Sequence, residues 1–77
     1  MKDISVKIVG RKNFIDLKVK DNSTINDLKI KLADQISVTP KNWGIYIRGP
    51  NRLYRVDDRK LVTDKIKYYF YPNIVIR

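Results

Sequence analysis

The stretch Thr24-Ile25-Asn26-Asp27-Leu28-Lys29-Ile30-Lys31-Leu32-Ala33-Asp34-Gln35-Ile36 is the one long helical signal in the chain, and the segments on either side of it read as strand or turn. Ile25, Leu28, Leu32 and Ile36 recur at spacings of three and four, which places them on one stripe of a helix. Asn26, Asp27, Lys29, Lys31 and Asp34 are expected to face away, giving a half-buried helix. Thr24 can accept a hydrogen bond from a first-turn amide, and Asp27, three positions on, can return one to the Thr24 amide, a capping box with Asp in place of Glu. Pro40 disfavours a helical Thr39, so Val38-Thr39-Pro40 is expected to close the segment.

Outward from the helix, the pattern changes to period two. Ile4, Val6 and Ile8 alternate with Ser5, Lys7 and Val9, and Ile15, Leu17 and Val19 alternate with Asp16, Lys18 and Lys20, so residues 4–20 predict a hairpin that turns at Gly10-Arg11-Lys12-Asn13. Beyond the helix, Ile45 and Ile47 alternate with Tyr46 and Arg48 in a strand stopped by Gly49-Pro50-Asn51. Leu53 to Val56 suggest a minor edge strand. Leu61 and Ile66 suggest a short turn of helix that drops two apolar side chains into the core, and Ile74 and Ile76 suggest a final strand. The expected architecture is α+β, a mixed sheet of four to five strands with the long helix across one face. With 77 residues, no repeat and no linker, residues 1–77 are expected to form a single domain.

A domain of this size buries only about 60% of the surface that its unfolded chain exposes, which leaves one core and little room for a deep cleft. There is no cysteine and no histidine, which excludes disulfides, thiolate metal sites and any Ser-His or Cys-His nucleophile. Asp57-Asp58, flanked by Arg55 and Arg59, reads as a solvated loop rather than an acid/base or metal site. The glycines at 10, 44 and 49 are too scattered to cradle a phosphate. A non-enzyme with no metal and no cofactor is expected. No stretch approaches the roughly 20 apolar residues that cross a bilayer.

The net charge of +9 is unevenly spread: residues 1–20, 21–40, 41–60 and 61–77 carry +4, −1, +4 and +2. Only the helical segment is not basic, so if the helix lies on one side of the sheet the positive potential belongs to the other side and to the loops, where it would favour an acidic partner; the alternative is that the basic residues merely keep a small domain soluble. If Ile4, Val6, Ile8, Ile15, Leu17, Val19, Ile45, Ile47, Ile74 and Ile76 face the helix, alternation sends Lys7, Lys18, Tyr46, Arg48, Val75 and Arg77 to that open face. These six are the leading candidates for partner binding. Tyr68, Tyr69, Phe70 and Tyr71 are secondary candidates, since four consecutive aromatics cannot all point inward, although their simplest role is to extend the last strand and close the core. Trp43, at a strand start, is expected to plug the core edge.

The series Val19, Thr24-Ile25-x-x-Leu28-Lys29-x-Lys31-Leu32, Val38-Thr39-Pro40, Ile45-Tyr46-Ile47-x-Gly49, Leu53, Leu61 to Ile66 and Ile74-x-Ile76 resembles the ubiquitin-like (β-grasp) superfamily over nearly the whole chain. Loops at 10–13, 53–61 and 66–74 are longer than in ubiquitin itself. Modifiers and sulfur carriers of that superfamily end in Gly-Gly, whereas this sequence ends Ile74-Val75-Ile76-Arg77, so the resemblance does not favour conjugation. Tyr46 stands where ubiquitin has the central isoleucine of its recognition patch, which argues against ubiquitin receptors as partners. Length, the missing Gly-Gly and Trp43 before the third strand look most like the YukD/EsaB group, accessories of the bacterial type VII (WXG100) secretion system. The resemblance implies a cytoplasmic interaction module that reaches the inner face of the membrane through a protein partner, without inserting into it. The alternative reading of the basic residues and aromatics is a small nucleic-acid-binding module.

Overall fold

The structure, a computed structural model, describes residues 1–73. Its elements are β1 (Lys2–Ile8), β2 (Ile15–Val19), α1 (Ile25–Ile36), a single 3₁₀ turn (Pro40–Asn42), β3 (Trp43–Arg48), β4 (Leu53–Arg55) and β5 (Lys67–Pro72). The five strands form one mixed sheet in the order β2-β1-β5-β3-β4, with β1 and β5 parallel and the other neighbours antiparallel. The helix packs across one face, burying Ile25, Leu28, Leu32 and Ala33 against Ile4, Val6, Ile8, Val19, Ile45 and Phe70. This is the α+β arrangement that the periodicities predict.

The helix start is fixed as its sequence dictates. Thr24 donates its amide to Asp27 Oδ2 at 3.0 Å, and Asp27 donates its amide to Thr24 Oγ1 at 3.2 Å. The two remaining first-turn amides donate to the chain that follows β4: Ile25 N–H to the Lys60 carbonyl at 2.8 Å and Asn26 N–H to the Asp58 carbonyl at 2.9 Å. Every donor that a helix N-terminus normally leaves free is therefore paired within the protein. The far end differs from the expectation. Ser37 takes a left-handed conformation (φ 58°, ψ 49°), and its amide with that of Val38 closes on the last-turn carbonyls, so the helix has already ended before Pro40, which instead opens the 3₁₀ turn.

Two turns carry the hairpins. Gly10, at φ 82°, reverses the chain between β1 and β2, a conformation that glycine adopts without steric cost. Gly49 donates its amide to the Arg52 carbonyl at 2.8 Å and closes the β3–β4 turn. The Tyr54 ring lies against it so closely that a Cβ there would sit 1.8 Å from Tyr54 Cε2.

Several expectations are corrected. Residues 67–72, read from sequence as part of a long loop whose aromatics extend the last strand and close the core, are themselves the middle strand of the sheet, and two of the aromatics do close the core. Tyr68 and Phe70 enter the core, with Phe70 stacked on Trp43 at 4.8 Å, so Trp43 does plug the core edge. The buried Tyr68 hydroxyl accepts the Thr63 amide at 2.9 Å. The strand expected at Ile74 and Ile76 lies outside the described residues. Leu61 is 56% exposed and Val62 is buried in its stead, because the bridge of Leu61 to Thr24 and the Val62 N–H to Ser23 carbonyl bond fix an extended segment in the opposite phase, with no helical turn. Ile47 is 38% exposed, at the end of β3 beside the edge strand. Lys29, expected on the outer helix face, is 5% exposed.

Candidate functional site

Strand alternation leaves the face opposite the helix uncovered, and three registers align a row across it. Lys7 of β1 lies opposite Tyr69 of β5, Tyr69 opposite Tyr46 of β3, and Tyr46 opposite Arg55 of β4. Tyr71 lies beside the row. Its ring centroid is 6.4 Å from that of Tyr46 and 6.2 Å from that of Tyr69, with the planes at 72° and 63°. Phe14, at the entry to β2, packs its ring 5.5 Å from Tyr69 at 72°, and Lys67 carries its ammonium 5.3 Å above the Phe14 ring. The result is an edge-to-face aromatic cluster rimmed by cations.

The cluster has no side chain at Gly44, opposite Tyr71. A Cβ there would stand 2.9 Å from Asn73 Oδ1, 3.0 Å from Arg55 Nε and 3.2 Å from Tyr46 Cε1. Glycine thus lets Arg55 lie inward over the sheet beside Tyr46. Toward the β3–β4 turn, a shallow groove of about 280 Å³ is lined by Lys7, Arg48, Arg52, Leu53, Tyr69 and Tyr71, with three cations and no carboxylate among its lining residues.

Most carboxylates of this domain are engaged away from the aromatic row. Asp3 pairs with Lys18 at 3.1 Å, and Asp16 accepts the Ser5 hydroxyl at 2.8 Å, both toward the β2 edge. Asp58 accepts the Lys29 ammonium at 2.6 Å beside the helix, and its other oxygen lies 3.7 Å from the Arg55 guanidinium at the end of the row. Asp57 binds the Arg59 guanidinium at 3.2 Å and its amide at 2.8 Å. Those bonds, the side-chain one first, hold its carboxyl below the usual carboxylate range and raise Arg59. Both groups are exposed, so the pair is a local loop clasp. No cluster of three or more metal-ligating acidic, histidine or cysteine side chains occurs among the described residues. No helix among them is long and apolar enough to cross a membrane.

Of the candidates read from sequence, Lys7, Tyr46 and Arg48 come together on the open face. Lys18 is on that face too, but opposite Asp3 and committed to it, away from the aromatic row. Val75 and Arg77 lie outside the described residues. The aromatic run divides between two faces: Tyr68 and Phe70 are buried under the helix, while Tyr69 and Tyr71 form the floor of the open face, with Tyr69 9% exposed. Sequence reasoning missed Phe14, Lys67, Arg52 and Arg55. The visible signal for Arg55 was the alternation of Leu53 and Arg55 after Gly49-Pro50-Asn51, while Arg52 lies in the turn, where alternation gives no signal.

No family model and no curated protein matches the sequence. Among solved structures, the chain is similar to the ubiquitin of Caldiarchaeum subterraneum, with a TM-score of 0.74, 19% identity, and coverage of 96% of this chain and 95% of that one. It is also similar to ATBAG1 in a crystal structure in complex with HSP70, with a TM-score of 0.72 and 13% identity over 95% of this chain and 41% of that one. At these identities the likeness speaks to architecture, and the five-stranded mixed sheet with its single crossing helix is the ubiquitin-like β-grasp fold.

Proposed function

We propose that this ubiquitin-like domain is a non-catalytic interaction module that docks an acidic protein surface on the open face of its sheet. The observation that carries the proposal is the aromatic cluster of Tyr46, Tyr69 and Tyr71 on that face, rimmed by Lys7, Arg48, Arg52 and Arg55 with no carboxylate in its groove. Aromatic side chains and arginine are the residue types in which binding energy concentrates at protein interfaces. The helix N-terminus, whose amides are already paired, offers no competing anion site.

The partner we assign is the cytoplasmic part of a bacterial type VII (WXG100) secretion membrane complex, with the module itself cytoplasmic. Support for this finer step is the resemblance to the YukD/EsaB group read from the sequence, with Trp43 at the start of the third strand. That ATBAG1 was crystallised with HSP70 adds that a chain containing this fold takes part in protein complexes. The test is affinity capture from the native cell with a photo-crosslinker at Tyr46 and, in a separate chain, at Lys31 on the exposed face of the helix. Secretion-complex subunits should be cross-linked at Tyr46. Reproducible cross-linking of an unrelated protein would refute the assignment of partner, and cross-links formed only from the helix face would refute the docking face.

A further inference from the structure

Resting on that docking face, we infer that the element it accepts is an extended acidic segment of the partner, with carboxylates at positions i and i+4 and an apolar side chain at i+2. The row Lys7–Tyr69–Tyr46–Arg55 crosses four adjacent strands. Neighbouring strands lie about 4.8 Å apart, so its cationic ends are separated by about 14 Å of backbone. An extended chain advances about 3.3 Å per residue, so four residues cover about 13 Å, and residues i, i+2 and i+4 point to the same side. Two carboxylates so spaced reach Lys7 at one end and Arg55 or Arg48 at the other, while the side chain between them rests on Tyr69 and Tyr46. A helix fits the row less well. Rising about 1.5 Å per residue, it repeats its face at about 10.5 Å or 16.5 Å.

Lys7, at one end of the row, and Arg48 make no ion pair among the described residues. Arg55, at the other end, holds a long ion pair with Asp58 at 3.7 Å, outside hydrogen-bonding distance, which an incoming carboxylate would replace. Ring geometry favours a peptide over a nucleic acid. A base-stacking platform needs open ring faces, whereas Phe14, Tyr69, Tyr71 and Tyr46 meet edge to face at 63° to 72° and cover one another.

The test is an NMR titration of the isotope-labelled full chain with a short peptide bearing Glu, Leu and Glu at alternate positions. Two further probes are a peptide of the same composition with the two Glu residues adjacent, and oligouridine. The alternate peptide should bind about tenfold more tightly than the control, with the largest shifts at Lys7, Tyr46, Tyr69 and Arg55. Lys7→Gln and Arg55→Gln should each remove most of that preference without unfolding the chain. Equal binding of the two peptides, tighter binding of oligouridine on the same residues, or no peptide binding would overturn the inference. If the peptide fails while capture of the native partner still depends on Tyr46 and Arg48, only the extended-segment inference falls. If capture is independent of both, the docking face falls with it.

Discussion

Lys29 and Asp58, 29 positions apart in sequence, meet with Nζ 2.6 Å from Oδ2, and the ammonium end of that pair is almost wholly buried. The contact ties the middle of the helix to the segment that also satisfies its first-turn amides. Removing one partner of such a pair leaves the other charge without compensation, which costs about 3 kcal/mol or more. Asp58 is the more exposed partner, so its carboxylate can turn to water when Lys29 is lost, whereas the Lys29 ammonium cannot. Asp58→Ala should therefore lower the stability measured by urea unfolding by more than Lys29→Met does. The reverse order would show that the buried end is not the charge that matters.

Leu32 is fully buried at the centre of the helix stripe. Leu32→Ala should cost about 2–5 kcal/mol, through lost burial and the cavity left behind. That approaches the whole stability of a domain with so small a core. Thermal unfolding within a few degrees of the unsubstituted chain would contradict the packing.

Gly49 has no space for a side chain, because the Tyr54 ring occupies the position of its missing Cβ. Gly49→Ala should displace Tyr54 and loosen the β3–β4 hairpin, with amide exchange quickening at Arg52 to Arg55. Restoring room with Tyr54→Ala in the same chain should recover part of the loss, and no recovery would mean that the turn backbone itself is at fault.

The Asp57 carboxyl is lowered from 3.8, chiefly by its side-chain bond with Arg59. A depressed value in the folded state gives stability that is complete above 3.8 and is lost as pH falls through the lowered midpoint. The carboxyl carbon signal of Asp57 should titrate below 3.8, and Arg59→Gln should move the midpoint upward. An unchanged midpoint in that variant would remove the clasp.

Much of this fold is written in local patterns. The Thr24/Asp27 cap, the alternation of β1 and β2, and the Gly49-Pro50-Asn51 stop need no tertiary context. Three failures share a cause. Lys29 lies four positions after Ile25 and three before Leu32, inside the apolar stripe, but polarity alone sends it outward because its partner comes from a distant loop. Tyr68 to Tyr71 carry no polar alternation, so a strand with aromatics on both faces gives no period-two signal. The phase of Leu61 and Val62 is set by hydrogen bonds to Ser23 and Thr24, which hydrophobicity does not encode. On the open face, Lys7, Tyr46 and Arg48 follow from strand alternation. Phe14 and Lys67 do not, because each sits at the edge of its strand and reaches the cluster through its ring or long side chain.

The open face is tested most directly by the affinity of the captured partner for the chain carrying Tyr46→Ala and Arg48→Ala together. Tyr46 is half-buried against Tyr71, so the pair of changes should cost about 1 kcal/mol of stability and leave the amide spectrum folded. Affinity should fall at least about tenfold, as expected when an aromatic anchor and an arginine are lost from an interface. A folded double variant that binds its partner with unchanged affinity would contradict docking on this face.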